Sequence, residues 1–393
     1  MPGFFAIFAG HKKIYTMKHI TLLVSSLLLL TVFQACDKNE EETTPQDQGL
    51  TGVNVAAGEK GTDHSRVYVL SEGNMGANSA SLDLFTYSDG YYYRNIFGTI
   101  NAEVALGLGD TGNDLEVGPK GWLWAAMTGS DLIEIMKPDA THVTSIKVSQ
   151  PRCIAFDDGY AYVTSYNADS NENGKLYKID AHSLRLVDSL LVGRHPEGLA
   201  VCDGKIYVTN SYYTTQEDGA KYATYHYLNT VDVIGVDGFR LLSKIEAGTN
   251  LKDATVEDDK VFVGALGNYY DVPAGVWCID PSSGKAVEVK GAGYSILTGG
   301  DDKVYSLSVD YSESKAHVLY SIDPETLSVT RLDIQKLSSL STPYGLGVDE
   351  GHIFISDAVD YNLSPSLVHC YNLAGRELWK ATSGVFSGHF AFN

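Results

Sequence analysis

Pro151-Arg-Cys-Ile-Ala-Phe-Asp-Asp-Gly159 runs directly into Tyr160-Ala-Tyr-Val-Thr-Ser-Tyr-Asn167. After a polar stretch, Gly174-Lys-Leu-Tyr-Lys-Ile-Asp-Ala-His-Ser183 runs into Leu184-Arg-Leu-Val-Asp-Ser-Leu-Leu-Val-Gly193. These are four short runs of aliphatic, β-branched and aromatic residues bounded by Asp-Gly-type punctuation, which is the signature of strands. Labelled A to D, they have tight A–B and C–D turns at 157–159 and 181–183 and a longer polar B–C connection at 167–173. A four-stranded antiparallel meander of this size is one blade of a β-propeller.

The unit recurs. With Ile154 as marker, the equivalent A-strand positions are Leu115, Leu199, Ala254, Ile296, Leu346 and Phe390, at successive spacings of 39, 45, 55, 42, 50 and 44 residues. B strands are expected at 122–127, 205–210, 260–264, 303–307 and 352–357, and C strands at 132–136, 230–234, 275–279, 317–322 and 367–372. A recurrence at spacings of this length marks a repeat architecture rather than two or three separate domains. The two ends are out of phase. Residues 66–70, 81–87 and 91–97 read as strands B, C and D without an A, whereas 388–393 read as an A strand with nothing after it. Placing the last strand inside the first blade gives an all-β, seven-bladed ring over 66–393, with no open edges. Phe390 and Phe392, two apart, then share one face and pack between blades. The A strand of the sixth blade, at 294–298, is the poorest match to the pattern.

The N-terminus reads as a targeting segment. Met17-Lys-His is a basic start, 20–33 is a continuous apolar run, and Phe33-Gln-Ala-Cys36 follows. The run has the length of a signal-peptide core and is shorter than the ~20 residues a spanning helix needs. The Ala-Cys ending resembles a bacterial lipobox, which makes 1–35 a signal peptide, with 1–16 an upstream extension, and Cys36 the lipidated residue. Residues 36–65 read as a disordered tether, polar and without apolar periodicity. Its acidic start, Asp37-Lys-Asn-Glu-Glu-Glu42, resembles the export signal of lipoproteins on the outer face of the Bacteroidota outer membrane.

Three lysines and no acidic residue precede Cys36, so the remainder carries 26 basic against 49 acidic residues, net −23. That charge repels nucleic acid and anionic lipid headgroups. Cys153, Cys202, Cys278 and Cys370 are widely spaced in or beside strands and read as buried thiols rather than disulfides or metal ligands.

In such a ring the A–B and C–D turns share one face, and the B–C and D–A connections share the other. The second set is long and varied (72–80, 128–131, 167–173, 211–228, 268–274, 310–315, 358–366), and long loops on a rigid scaffold are where function concentrates. Loop 211–228 carries Tyr212, Tyr213, Tyr222, Tyr225 and Tyr227, while the others add Tyr166, Tyr269, Tyr270, Tyr311 and Tyr361. Tyr among Asn, Ser and Gly is the composition of a binding surface, since its ring offers rigid contact area and a hydroxyl. The residues entering the A strands, Asn113, Arg152, Glu197, Lys252, Tyr294, Tyr344 and Gly388, are expected to ring the mouth on that face. Such a mixed-charge ring suits a neutral ligand with many polar handles.

No nucleophile elbow, zincin, P-loop or dinucleotide-binding motif is present. Asn113, Asp114, Glu116, Glu197 and Asp253 have the oxygen chemistry of a Ca²⁺ site of the propeller lactonase kind, but Lys252 and Arg152 beside them count against a cation. His195, His226 and His389 also fall on the loop face, as isolated imidazoles.

Leu70-Ser-Glu-Gly-Asn-Met-Gly-Ala-Asn-Ser-Ala-Ser-Leu82, followed by Leu108-Gly-Asp-Thr-Gly112, resembles the YncE-like seven-bladed propeller surface lipoproteins of Bacteroidota. An Asn/Ser-Glu-Gly-Asn opening and a Leu-Gly-Asp element recur in the first blade of that family, and Glu72, Gly73, Asn74, Ser81, Leu82, Gly109 and Asp110 carry the match. With the lipobox and acidic tether, the resemblance points toward surface lipoproteins of the BtuG type, which bind cobalamin and cap a TonB-dependent BtuB-type transporter. It implies a non-enzymatic, outer-membrane-anchored protein with cobalamin as bound ligand rather than cofactor. It assigns no binding residues, so the expected site rests on the loop and A-strand argument. A glycan-binding surface and a Ca²⁺-dependent lactonase remain the alternatives.

Overall fold

A computed structural model describes residues 45–393 apart from 47, 60–62, 218–220 and 361–363. The segment read as a signal peptide, and Cys36, lie outside the described residues. Seven antiparallel sheets follow one another, and the seven A strands each lean on the A strand before and after, closing a ring. Strand Ser387–Phe392 closes it as expected, pairing with Arg66–Ser71 so that Val67 faces Phe392 and Val69 faces Phe390.

The repeat is written into the turns. Five A–B turns place both central residues at positive φ, as a type I′ hairpin requires: Asp158-Gly159, Asp203-Gly204, Asp258-Asp259, Asp301-Asp302 and Glu350-Gly351. The B strands are buried on both faces, as in Lys205–Asn210 and His352–Asp357, because each blade is sandwiched between two others. Their near-continuous apolar runs follow from that. One apolar cluster fills each of the seven blade interfaces; Trp124, Ile133, Ile154 and Val163, for example, join blades two and three.

A second repeating device links the blades and positions the mouth. At or just after the end of a B strand, a hydroxyl (buried in three of the four cases) donates to the backbone carbonyl of the next blade's A strand. Thr128 Oγ1 reaches Pro151 O (2.6 Å), Thr164 Oγ1 reaches Glu197 O (2.9 Å), Thr209 Oγ1 reaches Lys252 O (2.7 Å), and Ser356 Oγ reaches Ser387 O. Two of the four carbonyls belong to expected mouth residues, so inter-blade packing and the site share these contacts.

Four expectations are corrected. The stretch read as a disordered tether up to residue 65 includes structured backbone. Gly52–Asn54 is a fifth, outermost strand of blade one, paired with Tyr91–Tyr93. Leu50 is buried in the cluster between blades one and two. His64 Nδ1 lies 2.6 Å from Asp349 Oδ1, and Glu350 Oε1 accepts the Asp63 and His64 N–H groups. Three apolar residues, Leu50, Val53 and Val55, were too few to stand out from a polar run. The D strand expected over 91–97 stops at Tyr93, because Asn95 turns left-handed (φ 48°) and caps a helix at Ile96–Ile100. The sixth A strand is Ile296–Gly300, two residues later than read. Loop 211–228 is a two-stranded hairpin, Tyr212–Thr215 against Thr224–Tyr227, forming a sheet of its own.

Candidate functional site

Two adjoining cavities open on the B–C and D–A face. One, of about 540 Å³, is the central channel, walled by A-strand residues from Asn113 through Lys252 to Tyr344 and His389. The other, of about 590 Å³, lies beneath the hairpin, against Tyr212, Tyr225, Tyr227 and Tyr269. Glu197, Lys252, Ser295 and Tyr311 belong to both walls. Each cavity is in the size range of small-molecule sites.

Hairpin register decides which tyrosines face inward. Tyr212 pairs with Tyr227 and Thr214 with Tyr225, and alternation along a strand puts all four on one face. Tyr213, His226, Thr215 and Thr224 take the other. The inward rings extend into a continuous aromatic array. His195 stacks on Tyr212 (centroids 4.2 Å apart, 19° between planes) and meets the edge of Tyr166 (4.5 Å). Tyr212 then approaches Tyr225, Tyr225 stacks on Tyr227, and Tyr227 meets Tyr269 edge-on. At the channel end the Arg152 guanidinium lies 4.5 Å above Tyr166.

Arg152 is held from both sides. Its Nε and Nη2 donate to Glu197 Oε2 at 3.2 and 3.0 Å, and Asn113 Nδ2 donates to its carbonyl at 2.9 Å. Tyr344 donates its hydroxyl to Glu72 Oε1 (2.7 Å), and burial raises the Glu72 carboxyl. Deeper in the channel, burial pushes Asp114 up to about 7 although its Oδ2 accepts the Ile154 N–H at 2.7 Å. Glu116, two residues along the same strand, is raised well above the usual range by burial and then by Asp114. Burial, with Lys252 and Arg152 nearby, pushes His389 down to about 3, so its imidazole is neutral. Among the described residues, no three His, Cys, Asp or Glu side chains converge as a metal ion would require.

Asp114 makes a testable pH signature. Its carboxyl sits at about 7 in the fold against an ordinary 3.8, so folding favours the protonated form. That contribution is complete below pH ~4 and is lost as pH rises to ~7. Asp114→Asn retains an oxygen for the Ile154 N–H and cannot ionise. The stability of the variant relative to the parent, from denaturant titrations, is expected to rise between pH ~4 and ~7 and level off above. A difference that is constant across that range would overturn the assignment.

The structure brings together Asn113, Arg152, Tyr166, Glu197, Tyr212, Tyr225, Tyr227, Lys252, Tyr269 and Tyr344. Two expected residues, Tyr213 and Tyr270, belong elsewhere, and a third, Tyr294, is deeper than expected. Tyr213 points away from the cavities and packs on His226 (4.6 Å) and Arg194 (4.4 Å). Tyr270 stands 94% exposed outside both walls. Tyr294 is 2% exposed, with its ring against Gly264, where an added Cβ would lie 2.0 Å from it, and its hydroxyl accepts the Asp253 N–H. It is nearly buried yet borders the hairpin cavity beside Lys252 and Ser295, so it joins the site from below rather than at the rim. Tyr361 lies outside the described residues. His195, Tyr311, Glu72 and His389 join the site. His195, Tyr311 and His389 are legible on loop-face positions, and the two histidines were discounted because isolated histidines are usually structural.

No protein-family model matches this chain, and no curated protein matches its sequence. Solved structures do. The chain is similar to a functionally unknown protein from Desulfotomaculum acetoxidans, at 12% identity over 84% of this chain and 98% of that one, with TM-score 0.59. It is also similar to the lignostilbene dioxygenase of Pseudomonas brassicacearum (12% identity, 88% and 95% coverage, TM-score 0.54) and to the hydrazine synthase of Kuenenia stuttgartiensis (16%, 67% and 76%, TM-score 0.52). At these identities the likeness shows shared β-propeller architecture alone.

Proposed function

We propose that this protein is a cell-surface lipoprotein that captures cobalamin or a related corrinoid in the two cavities of the loop face. It then passes the ligand to a TonB-dependent, BtuB-type transporter in the outer membrane. The observation that carries the reading is the unbroken aromatic array bordering a polar, mixed-charge channel. A corrinoid is broad and nearly flat, is edged with amides and bears a nucleotide tail. Tyrosine faces would take the flat macrocycle, while Asn113, Glu197, Ser295 and the tyrosine hydroxyls offer donors and acceptors to the amides. The role is binding without chemistry. Met75 (86% exposed) and Tyr270 stand out from the loop face and offer apolar contacts to a docking transporter.

Calorimetric titration of the full chain in detergent against cyanocobalamin, a glycan panel and Ca²⁺ tests the reading. Saturable 1:1 binding of cyanocobalamin alone is the expected result. Binding of a glycan instead would assign the aromatic array to sugar stacking, and Ca²⁺ binding with lactone turnover would assign the channel to hydrolysis. The anchor has its own test. Cys36→Ala is expected to move the protein from the detergent phase to the aqueous phase in a phase-partitioning assay; a variant that partitions like the parent would refute lipidation at Cys36.

A further inference from the structure

Two cations border the channel, and they are not equivalent. Arg152 is committed to Glu197 and to the face of Tyr166. The Lys252 ammonium has no hydrogen-bond partner among the described residues, and its closest carboxylate oxygen, Asp253 Oδ1, is 3.9 Å away. The other oxygen of Asp253 accepts the Leu297 N–H at 3.0 Å. Lys252 is also well placed. Its backbone is gripped by Thr209, and it belongs to the wall common to both cavities. An ammonium with three donors and a single long ion pair, in a concave site, leaves capacity for an anionic partner.

From this geometry we infer that the site is bipartite. The flat, conjugated part of the ligand lies beneath Tyr212, Tyr225 and Tyr227, and Lys252 takes the phosphodiester of a tail that turns into the channel. The inference rests on the corrinoid reading and sharpens it: the ligand class is a planar macrocycle carrying a singly charged phosphate ester. The carboxyls of the channel do not oppose this as strongly as their number suggests. Glu72 is hydrogen-bonded by Tyr344 and raised by burial, and Asp114 and Glu116 are raised as well. Glu197 is paired with Arg152.

The test uses two corrinoids that share the macrocycle: cyanocobalamin, which has the phosphate-bearing nucleotide tail, and dicyanocobinamide, which lacks it. Calorimetry on the full chain in detergent is expected to show tighter binding of cyanocobalamin. Lys252→Met should weaken cyanocobalamin roughly 10–100-fold, the range for losing one charge-assisted contact, with dicyanocobinamide changed by less than about threefold. Lys252→Arg should retain most of the preference. In the parent, raising NaCl from ~0.05 to ~0.5 M should weaken cyanocobalamin selectively, a readout that needs no variant to fold. Equal binding of the two corrinoids, or equal losses in Lys252→Met, would overturn the bipartite site while leaving corrinoid capture standing. Failure of both corrinoids to bind the parent would overturn both.

Discussion

Deleting residues 388–393 should yield a protein that aggregates or melts far below the parent. The deletion removes all but the first residue of the strand that joins blade one to the end of the chain. Val67, Val69 and Leu70, buried opposite it, lose their ladder partners, and each backbone group left buried without a partner costs about 1–3 kcal/mol. Phe390 and Phe392 pack with Phe354 across the interface with blade seven, at centroid distances of 5.9 and 6.0 Å. Both are only half-buried, so each contributes about 1.5–3 kcal/mol at most rather than the full cost of a core aromatic. The total still rivals the ~5–15 kcal/mol stability of a typical domain. Trimming residues 313–316, an exposed loop whose side-chain hydrogen bonds run to nearby Asp310 and Ser312, is the control. Comparison of the two melting temperatures decides: a C-terminal truncation that melts like the parent would show that the last strand does not close the ring.

The second large effect is on binding. Replacing Tyr225 and Tyr227 together by Ala is expected to weaken cyanocobalamin by about 1–4 kcal/mol, the scale of two aromatic anchor contacts. These rings lie mid-array, between Tyr212 and Tyr269, and both border the hairpin cavity. The hairpin forms its own sheet outside the seven blades, so thermal stability should change little. Tyr270→Ala, on a neighbouring loop but outside both cavities, should leave affinity unchanged. Loss of affinity in Tyr270→Ala, with none in the double variant, would move the site off the hairpin.

The ring was legible because its signals repeat. Seven A strands, the paired acidic/Gly turn residues and the phase mismatch of the two ends all agreed, and the marker alignment placed Asn113, Arg152, Glu197, Lys252 and Tyr344 at the mouth. Features that occur once were harder to read. Strand Gly52–Asn54 is three residues long, and what secures it is a long-range pairing with Tyr91–Tyr93 that leaves no local pattern. The depth of Tyr294, at the floor of the hairpin cavity rather than at the rim, depends on Gly264 leaving room for its ring, a contact 30 residues away in the chain. Tyr213 was assigned to the site with Tyr212, its neighbour, although adjacent residues of a strand face opposite ways. Reading 211–228 as a hairpin would have separated them. The aromatic array was legible in composition only, because its order depends on how loops from different blades meet.

Amide hydrogen exchange of the full chain, with and without saturating cyanocobalamin, tests most directly where and what this protein binds. Protection is expected in Tyr212–Thr215 and Thr224–Tyr227 and at the starts of the A strands that carry Glu197 and Lys252, with the A–B turns at 158–159 and 258–259 unchanged. Protection confined to those turns, or no protection anywhere at saturating ligand, would contradict corrinoid capture on the loop face.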